Sequence, residues 1–178
     1  MKRINLLSTS APQTQEVGRL LGDRLVGGEW IELCGPLGAG KTHFAKGLAL
    51  GLGVPESEPI VSPTFVLLRR YEGRLSFIHG DAYRLTSMDE LLDLGLEEIL
   101  EDPRSVVAVE WADRFPGALQ RESIRVEISY SDAETHRHIA ISLPDRWNAD
   151  DFSARFRLSG ISVTQTPPDY PERTLADG

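Results

Sequence analysis

Apolar residues recur along the chain with two different spacings, and these spacings predict most of its elements. Ile4–Ser8 reads as a first strand. Val17, Leu20, Leu21 and Leu25 return every three or four positions, which predicts a helix over residues 12–26. Thr9 or Ser10 would cap it, and Gly27-Gly28 would stop it. Glu29–Cys34 is a short strand. Phe44, Leu48 and Leu52 then share one face of a second helix that begins near Thr42 and ends at Gly53-Val54-Pro55. Residues 55–63 carry three prolines and read as a loop. Thr64–Tyr71 and Leu75–Ile78, separated by Glu72-Gly73, predict a hairpin.

Further along, Ser87 with Glu90 three residues on has capping-box spacing before a helix over 88–94. Leu96–Leu100 adds another helical turn. Val106-Val107-Ala108-Val109 is apolar at every position, as expected of a parallel strand buried on both faces. Residues 124–130 and 137–143 alternate instead, as antiparallel strands with one wet face do. A helix over 150–158 buries Phe152 and Phe156. Residues 1–159 therefore read as one domain. Residues 160–178, rich in Thr, Pro, Asp and Gly, read as a flexible tail.

Composition narrows this picture without changing it. The chain has 178 residues, a net charge of −8 and a pI near 5.0. An acidic surface argues against unaided binding to a nucleic-acid backbone. One cysteine rules out an intrachain disulfide and fits a reducing compartment. The start of the chain has no long apolar stretch and no run approaches 18 apolar residues. The expectation is a cytoplasmic protein with no membrane contact.

The chemistry concentrates at Gly35-Pro36-Leu37-Gly38-Ala39-Gly40-Lys41-Thr42, a complete G-x-x-x-x-G-K-[ST] loop between a strand and a helix. Its glycines let successive N–H groups converge on the phosphates of a nucleoside triphosphate. Lys41 would reach the β- and γ-phosphates, and the Thr42 hydroxyl would take a position on Mg²⁺. Such a loop needs a carboxylate at the end of a neighbouring strand. The chain offers two, Asp81 after Leu75–Gly80 and Glu110 after Val106–Val109. One acid can serve the metal while the other orients water. No Asn-Lys-x-Asp segment reads guanine, which favours ATP.

Other candidates have plainer readings beside the functional ones. Ser62-Pro63-Thr64-Phe65 lies where nucleotide switches often hold a phosphate-sensing hydroxyl, yet it also reads as a turn. His79 is a base near the phosphates or a structural imidazole. His43, one residue past Thr42, is expected to pack. His136 and His138 would share one strand face without a third metal ligand. Cys34 is expected to be buried and inert. Trp111 reads as core or as a stacking surface, and Arg84 as a phosphate contact or a surface ion pair.

Taken in order, G-x-L-G-A-G-K-T at 35–42, S-P-T-F at 62–65, H-x-D-x-Y-R-L at 79–85 and E-W at 110–111 resemble the TsaE (YjeE) family. That family is the ATPase component of bacterial tRNA threonylcarbamoyladenosine biosynthesis. The resemblance runs from about residue 4 to about residue 143. It implies a P-loop NTPase-like α/β fold, a three-layer sandwich whose central sheet is mostly parallel with added antiparallel strands. It also implies ATP hydrolysis beside the TsaD–TsaB pair, which would hold the tRNA. By position, Gly38, Ala39, Gly40, Lys41, Thr42 and His43 would line the nucleotide, with Thr42 and Glu110 on Mg²⁺. Lys41, Asp81 and Glu110 would be catalytic, and Thr64 would sit in a switch-like segment. Ser10, Ala11 and Glu134 would touch the nucleotide where the matching is weaker. Pro36 stands where the family usually has an acid, and His43 where it often has Thr. Two other functions remain open on the residues alone: a P-loop small-molecule kinase, for which Arg69-Arg70 and Arg84 are the nearby arginines, and a nucleotide-dependent binding module with little turnover.

Overall fold

The computed structural model describes residues 1–65, 67–87, 89–93, 95–116 and 122–164. Eight strands form a single sheet: β1 (Lys2–Ser8), β2 (Trp30–Cys34), β3 (Leu68–Tyr71), β4 (Ser76–Asp81), β5 (Ser105–Glu110), β6 (Ile124–Tyr130), β7 (Arg137–Leu143) and β8 (Ser162–Thr164). Their order across the sheet is β3-β4-β5-β2-β6-β7-β1-β8. The central four, β4, β5, β2 and β6, are parallel. The others join antiparallel at the two margins.

The two strand classes differ in sequence because they differ in burial. Every residue of β4 and β5 is buried. Helices α1 (Ala11–Gly22), α2 (Lys41–Gly51) and α5 (Ala149–Leu158) cover one face of the sheet, over Leu6, Leu33, Phe77, Ala108 and Ile141. Helix α4 (Leu96–Glu101) covers the other face of the parallel half, over Trp30, Ile78, Val107 and Val109. The result is three layers. Strands β6 and β7 alternate because their second face carries Arg125, Glu127 and His138 instead of core.

Glycines set the helix packing. Gly18 and Gly22 of α1 interlock with Gly47 and Gly51 of α2. A Cβ on Gly47 would stand 1.9 Å from the Gln15 carbonyl oxygen, and one on Gly18 would stand 2.2 Å from that of Phe44. Only hydrogen fits there, so backbone touches backbone. Phe44, fully buried beside this seam, contributes roughly 1.5–3 kcal/mol. Arg74 then donates to the carbonyls of Gly22 at the end of α1, Leu25 in the turn after it, and Gly51 at the end of α2. One guanidinium caps both helices.

Several boundaries differ from expectation. Helix α1 stops at Gly22, four residues before the predicted end at 26, and Leu25 is buried from the turn that follows. The predicted strand over 64–71 shortens to Leu68–Tyr71, because Thr64 and Phe65 form a turn. Leu67 follows at φ 66° and donates its N–H to the Pro63 carbonyl. The strand predicted over 75–78 extends instead to Asp81. Glu90 does accept from the Thr86 and Ser87 amides, and a single turn, α3 (Asp89–Leu92), follows. The tail predicted from Gly160 starts inside the fold: Ile161 is buried and Ser162–Thr164 pairs with β1. Residues 165–178 lie outside the described residues.

Candidate functional site

Strand β2 delivers the chain to a loop that runs under α2. Gly35, Gly38 and Gly40 all take positive φ, at 143°, 75° and 110°. A Cβ on Gly35 would meet the Ile128 carbonyl at 2.2 Å, so this loop requires glycine there. The first amides of α2 have no carbonyl one turn back, and they open onto the cleft. Lys41 is 4% exposed. Its ammonium donates to the carbonyls of Gly35 at 2.7 Å and Pro36 at 2.8 Å. Burial pushes its pKa below the usual lysine range, and the nearby Glu110 carboxylate partly opposes that. The Nζ also lies 3.6 Å from the centre of the Trp111 ring. Trp111 reaches this place through a left-handed backbone (φ 64°), which costs a non-glycine residue on the order of 1–2 kcal/mol. Its other neighbour is the Tyr83 ring, 4.9 Å away.

Two carboxylates end adjacent parallel strands at the same level, since Asp81 and Glu110 are register partners. They are 2% and 3% exposed. Glu110 Oε1 accepts from the Thr42 hydroxyl at 2.9 Å and lies 2.9 Å from His79 Nε2. His79 is fully buried and stacks on Phe77. With Glu110 as the acceptor, His79 donates from Nε2. Asp81 faces a different set of partners. Its Oδ2 accepts from Ser62 Oγ and from Thr64 Oγ1, the latter at 2.7 Å, and its Oδ1 accepts from the Tyr83 amide at 2.8 Å.

Two cavities meet at the loop. The first, about 440 Å³, is lined by Gly38, Gly40, Lys41, Thr42, His43, Ser62, Thr64, Asp81, Glu110 and Trp111 among others. The second, about 450 Å³, is lined by Ser10, Ala11, Thr14, Gly38, Ala39, Gly40, His43, Glu134, Thr135 and Arg137. Ser10, Ala11, residues 38–43, Thr64, Asp81, Glu110 and Glu134 therefore lie on one of two adjoining cavities, whereas Arg84 and His79 line neither. The donors suit a hard divalent cation. Thr42 and Glu110 offer a hydroxyl and a carboxylate, and Mg²⁺ takes oxygen ligands while keeping several waters for phosphate oxygens to replace. Among the described residues no cluster of three or more His, Cys, Asp or Glu could hold a metal by itself. The His136/His138 pair belongs to no such cluster.

Two nominated side chains behave differently from expectation. His43 is exposed at the rim between the cavities instead of packed, because the turn of α2 that carries it faces the cleft. The Arg84 guanidinium lies 4.4 Å from the Phe65 ring, an aromatic partner where a carboxylate was expected. Cys34 is buried as expected, and desolvation pushes its thiol well above the usual range. The sequence reading passed over Ser62 as a partner of Asp81, although its place in S-P-T-F, two residues from Thr64, was the available signal. Tyr130 and Arg137, which reach the back of the loop from the facing ends of β6 and β7, carry no such signal in the sequence.

The chain as a whole is similar to known proteins. The model of the family described as threonylcarbamoyl adenosine biosynthesis protein TsaE matches residues 8–139. A tRNA threonylcarbamoyladenosine biosynthesis protein TsaE from Treponema pallidum is 39% identical over 136 residues, 76% of this chain and 98% of that one. Its namesake from Streptomyces coelicolor is 37% identical over 147 residues, 78% of this chain and 97% of that one. In three dimensions the chain is similar to the crystal structure of Bacillus subtilis YdiB. The TM-score is 0.68 at 25% identity, over 89% of this chain and 97% of the other.

Proposed function

This chain belongs to the TsaE family, and from that premise we propose that it is a Mg²⁺-dependent ATPase working with TsaD and TsaB in tRNA threonylcarbamoyladenosine biosynthesis. The observation that carries the proposal is the buried Glu110 carboxylate, which shares the Thr42 hydroxyl of the phosphate loop one strand away from a second buried acid, Asp81. A binding module needs only the first of these acids. Two acids match the needs of hydrolysis, in which one serves the metal and the other orients water.

Lys41 exchanges the Gly35 and Pro36 carbonyls for the β- and γ-phosphate oxygens. Thr42 and Glu110 would hold Mg²⁺, whose positive charge would offset the negative charge of the phosphate oxygens when bound. Asp81 orients the attacking water once the Ser62 and Thr64 hydroxyls give up its Oδ2. Ser10, Ala11, Thr14 and Glu134 bound a cavity of suitable size for the nucleoside, on the far side of Gly40. The net charge of −8 fits a protein whose partners carry the tRNA. A small-molecule kinase has less support, because Arg69 lies over Tyr71, Arg70 pairs with Glu72 and Arg84 covers Phe65.

The test is release of inorganic phosphate from ATP, with and without TsaD–TsaB, by wild type and Lys41→Ala. Weak release that rises with the partners and falls about 100-fold or more in the variant supports the reading. Unchanged release by Lys41→Ala overturns the site. Phosphate found on an organic acceptor instead of in solution would establish the kinase.

A further inference from the structure

A phosphate cradle works only if its amide hydrogens point inward. Each peptide unit carries its N–H and C=O in opposite directions, so inward amides require outward carbonyls. Those carbonyls need donors on the outside of the loop. Two neighbouring strands provide them. Tyr130, the last residue of β6, donates its hydroxyl to the Leu37 carbonyl. Arg137, the first residue of β7, donates from Nε to the Ala39 carbonyl at 3.0 Å and from Nη2 toward that of Gly38 at 3.4 Å. Three successive carbonyls of the loop are thus held from behind, which turns the Gly38 and Gly40 amides inward, while the Ala39 amide, opposite the Gly38 carbonyl, donates to the Pro36 carbonyl at 3.2 Å.

The remaining Arg137 nitrogen faces the other way. Nη1 donates to the carbonyls of Glu134 at 2.7 Å and His136 at 2.6 Å, within the turn that joins β6 to β7. That turn forms one wall of the second cavity. The Tyr130 ring lies 5.0 Å from the guanidinium carbon and keeps the fork in plane. A planar guanidinium with five donors in fixed directions can hold both sets at once, and a lysine cannot.

We infer that Arg137, supported by Tyr130, is a positioning residue that fixes the phosphate loop in its binding shape and ties it to the Glu134–His136 wall of the adjoining cavity. The inference rests on the reading of that loop as a nucleotide site. All three Arg137 side-chain nitrogens are committed to backbone carbonyls. With Tyr130, Arg137 sets the direction of the Gly38 and Gly40 amides, and it makes the two cavities one rigid receptor.

Arg137→Gln, Arg137→Lys and Tyr130→Phe test this in the full chain. The first readout is hydrogen exchange of the peptide spanning residues 35–42, without ligand. The second is ATP affinity by calorimetry. Faster exchange in both Arg137 variants, with ATP binding about 10–100-fold weaker, is the expected result. Tyr130→Phe should weaken binding only a few-fold. Wild-type exchange in Arg137→Gln, or a lowered melting temperature with exchange unchanged, overturns the inference. So does full recovery of exchange and affinity by Arg137→Lys, since charge alone would then suffice. If the wild type itself binds no ATP, the nucleotide reading fails instead, and the exchange arm still decides the role of Arg137.

Discussion

Glu110 and Asp81 are the same kind of group in the same kind of place, and they are held in opposite ways. Both are buried carboxylates at the ends of neighbouring parallel strands, in register. Glu110 is fastened to regular structure: a hydroxyl on the first turn of α2 and a fully buried imidazole on β4. Asp81 is fastened to irregular chain. Its Oδ2 is occupied by hydroxyls from residues 62 and 64, which sit in a proline-containing turn. Regular elements hold a ligand set in one geometry, whereas a turn can release its bonds at small cost. In the proposed reaction Glu110 would be the fixed arm, on the metal, and Asp81 the releasable arm, on the water.

Charge removal should separate the arms most sharply. Glu110→Gln keeps the shape and loses the anion, so turnover should fall about 100–1000-fold and nucleotide binding should lose its dependence on Mg²⁺. Asp81→Asn should cost turnover on the same order while Mg²⁺-dependent binding persists. Binding titrated with and without Mg²⁺ for both variants checks the split, and equal Mg²⁺ responses would end the comparison.

The frame under Glu110 comes next. Thr42 rides on α2, and α2 is seated on α1 through Gly18, Gly22, Gly47 and Gly51. Gly47→Ala forces a methyl to within 1.9 Å of a backbone oxygen, so the helices must separate. The expected loss is about 2–3 kcal/mol, or roughly 5–10 °C of melting temperature for a domain of this size. Thermal unfolding followed by circular dichroism measures it.

His79 gives a smaller effect confined to one arm. It is buried among apolar side chains, and its described hydrogen-bond partner is Glu110. His79→Phe leaves Glu110 charged and held by the Thr42 hydroxyl alone. The Mg²⁺ concentration for half-maximal activity should rise about 10–100-fold with little change at saturating Mg²⁺. His79→Asn should recover part of the loss.

How much of this was legible in the sequence follows the range of the interactions. The phosphate loop was read in full because its chemistry is local, with the glycines, Lys41 and Thr42 within eight residues. Glu110 was legible because four apolar residues in a row mark a strand buried on both faces, and the acid ends it. The interlocked glycines were not read. In sequence a helical glycine is only a weak helix former, and the backbone it approaches lies about 30 residues away. Arg74 and Arg137 were not read either, since a bond from a side chain to a distant carbonyl leaves no residue type as its mark. The strand expected at Thr64 failed for a related reason. Its β-branched residues favour extended chain, but two hydroxyl bonds to Asp81 outweigh that preference and bend residues 64–65 into a turn.

That bend sets the last test of the pair. Thr64→Val is close to isosteric and removes one of the two hydroxyls on Asp81 Oδ2, leaving Ser62 in place. A hydrogen bond to a charged acceptor is worth about 1.5–3 kcal/mol, but Ser62 still satisfies the same oxygen, so the net change should be near 1 kcal/mol. If the turn holds Asp81 back until the site is filled, the loss releases the acid. Turnover without partners should then rise or stay within about five-fold of wild type, and stimulation by TsaD–TsaB should shrink. If the Thr64 hydroxyl serves the reaction directly, basal turnover should instead fall by far more than five-fold. The ratio of stimulated to basal phosphate release distinguishes the two. Glu110, fixed by regular structure, offers no substitution with a corresponding rise.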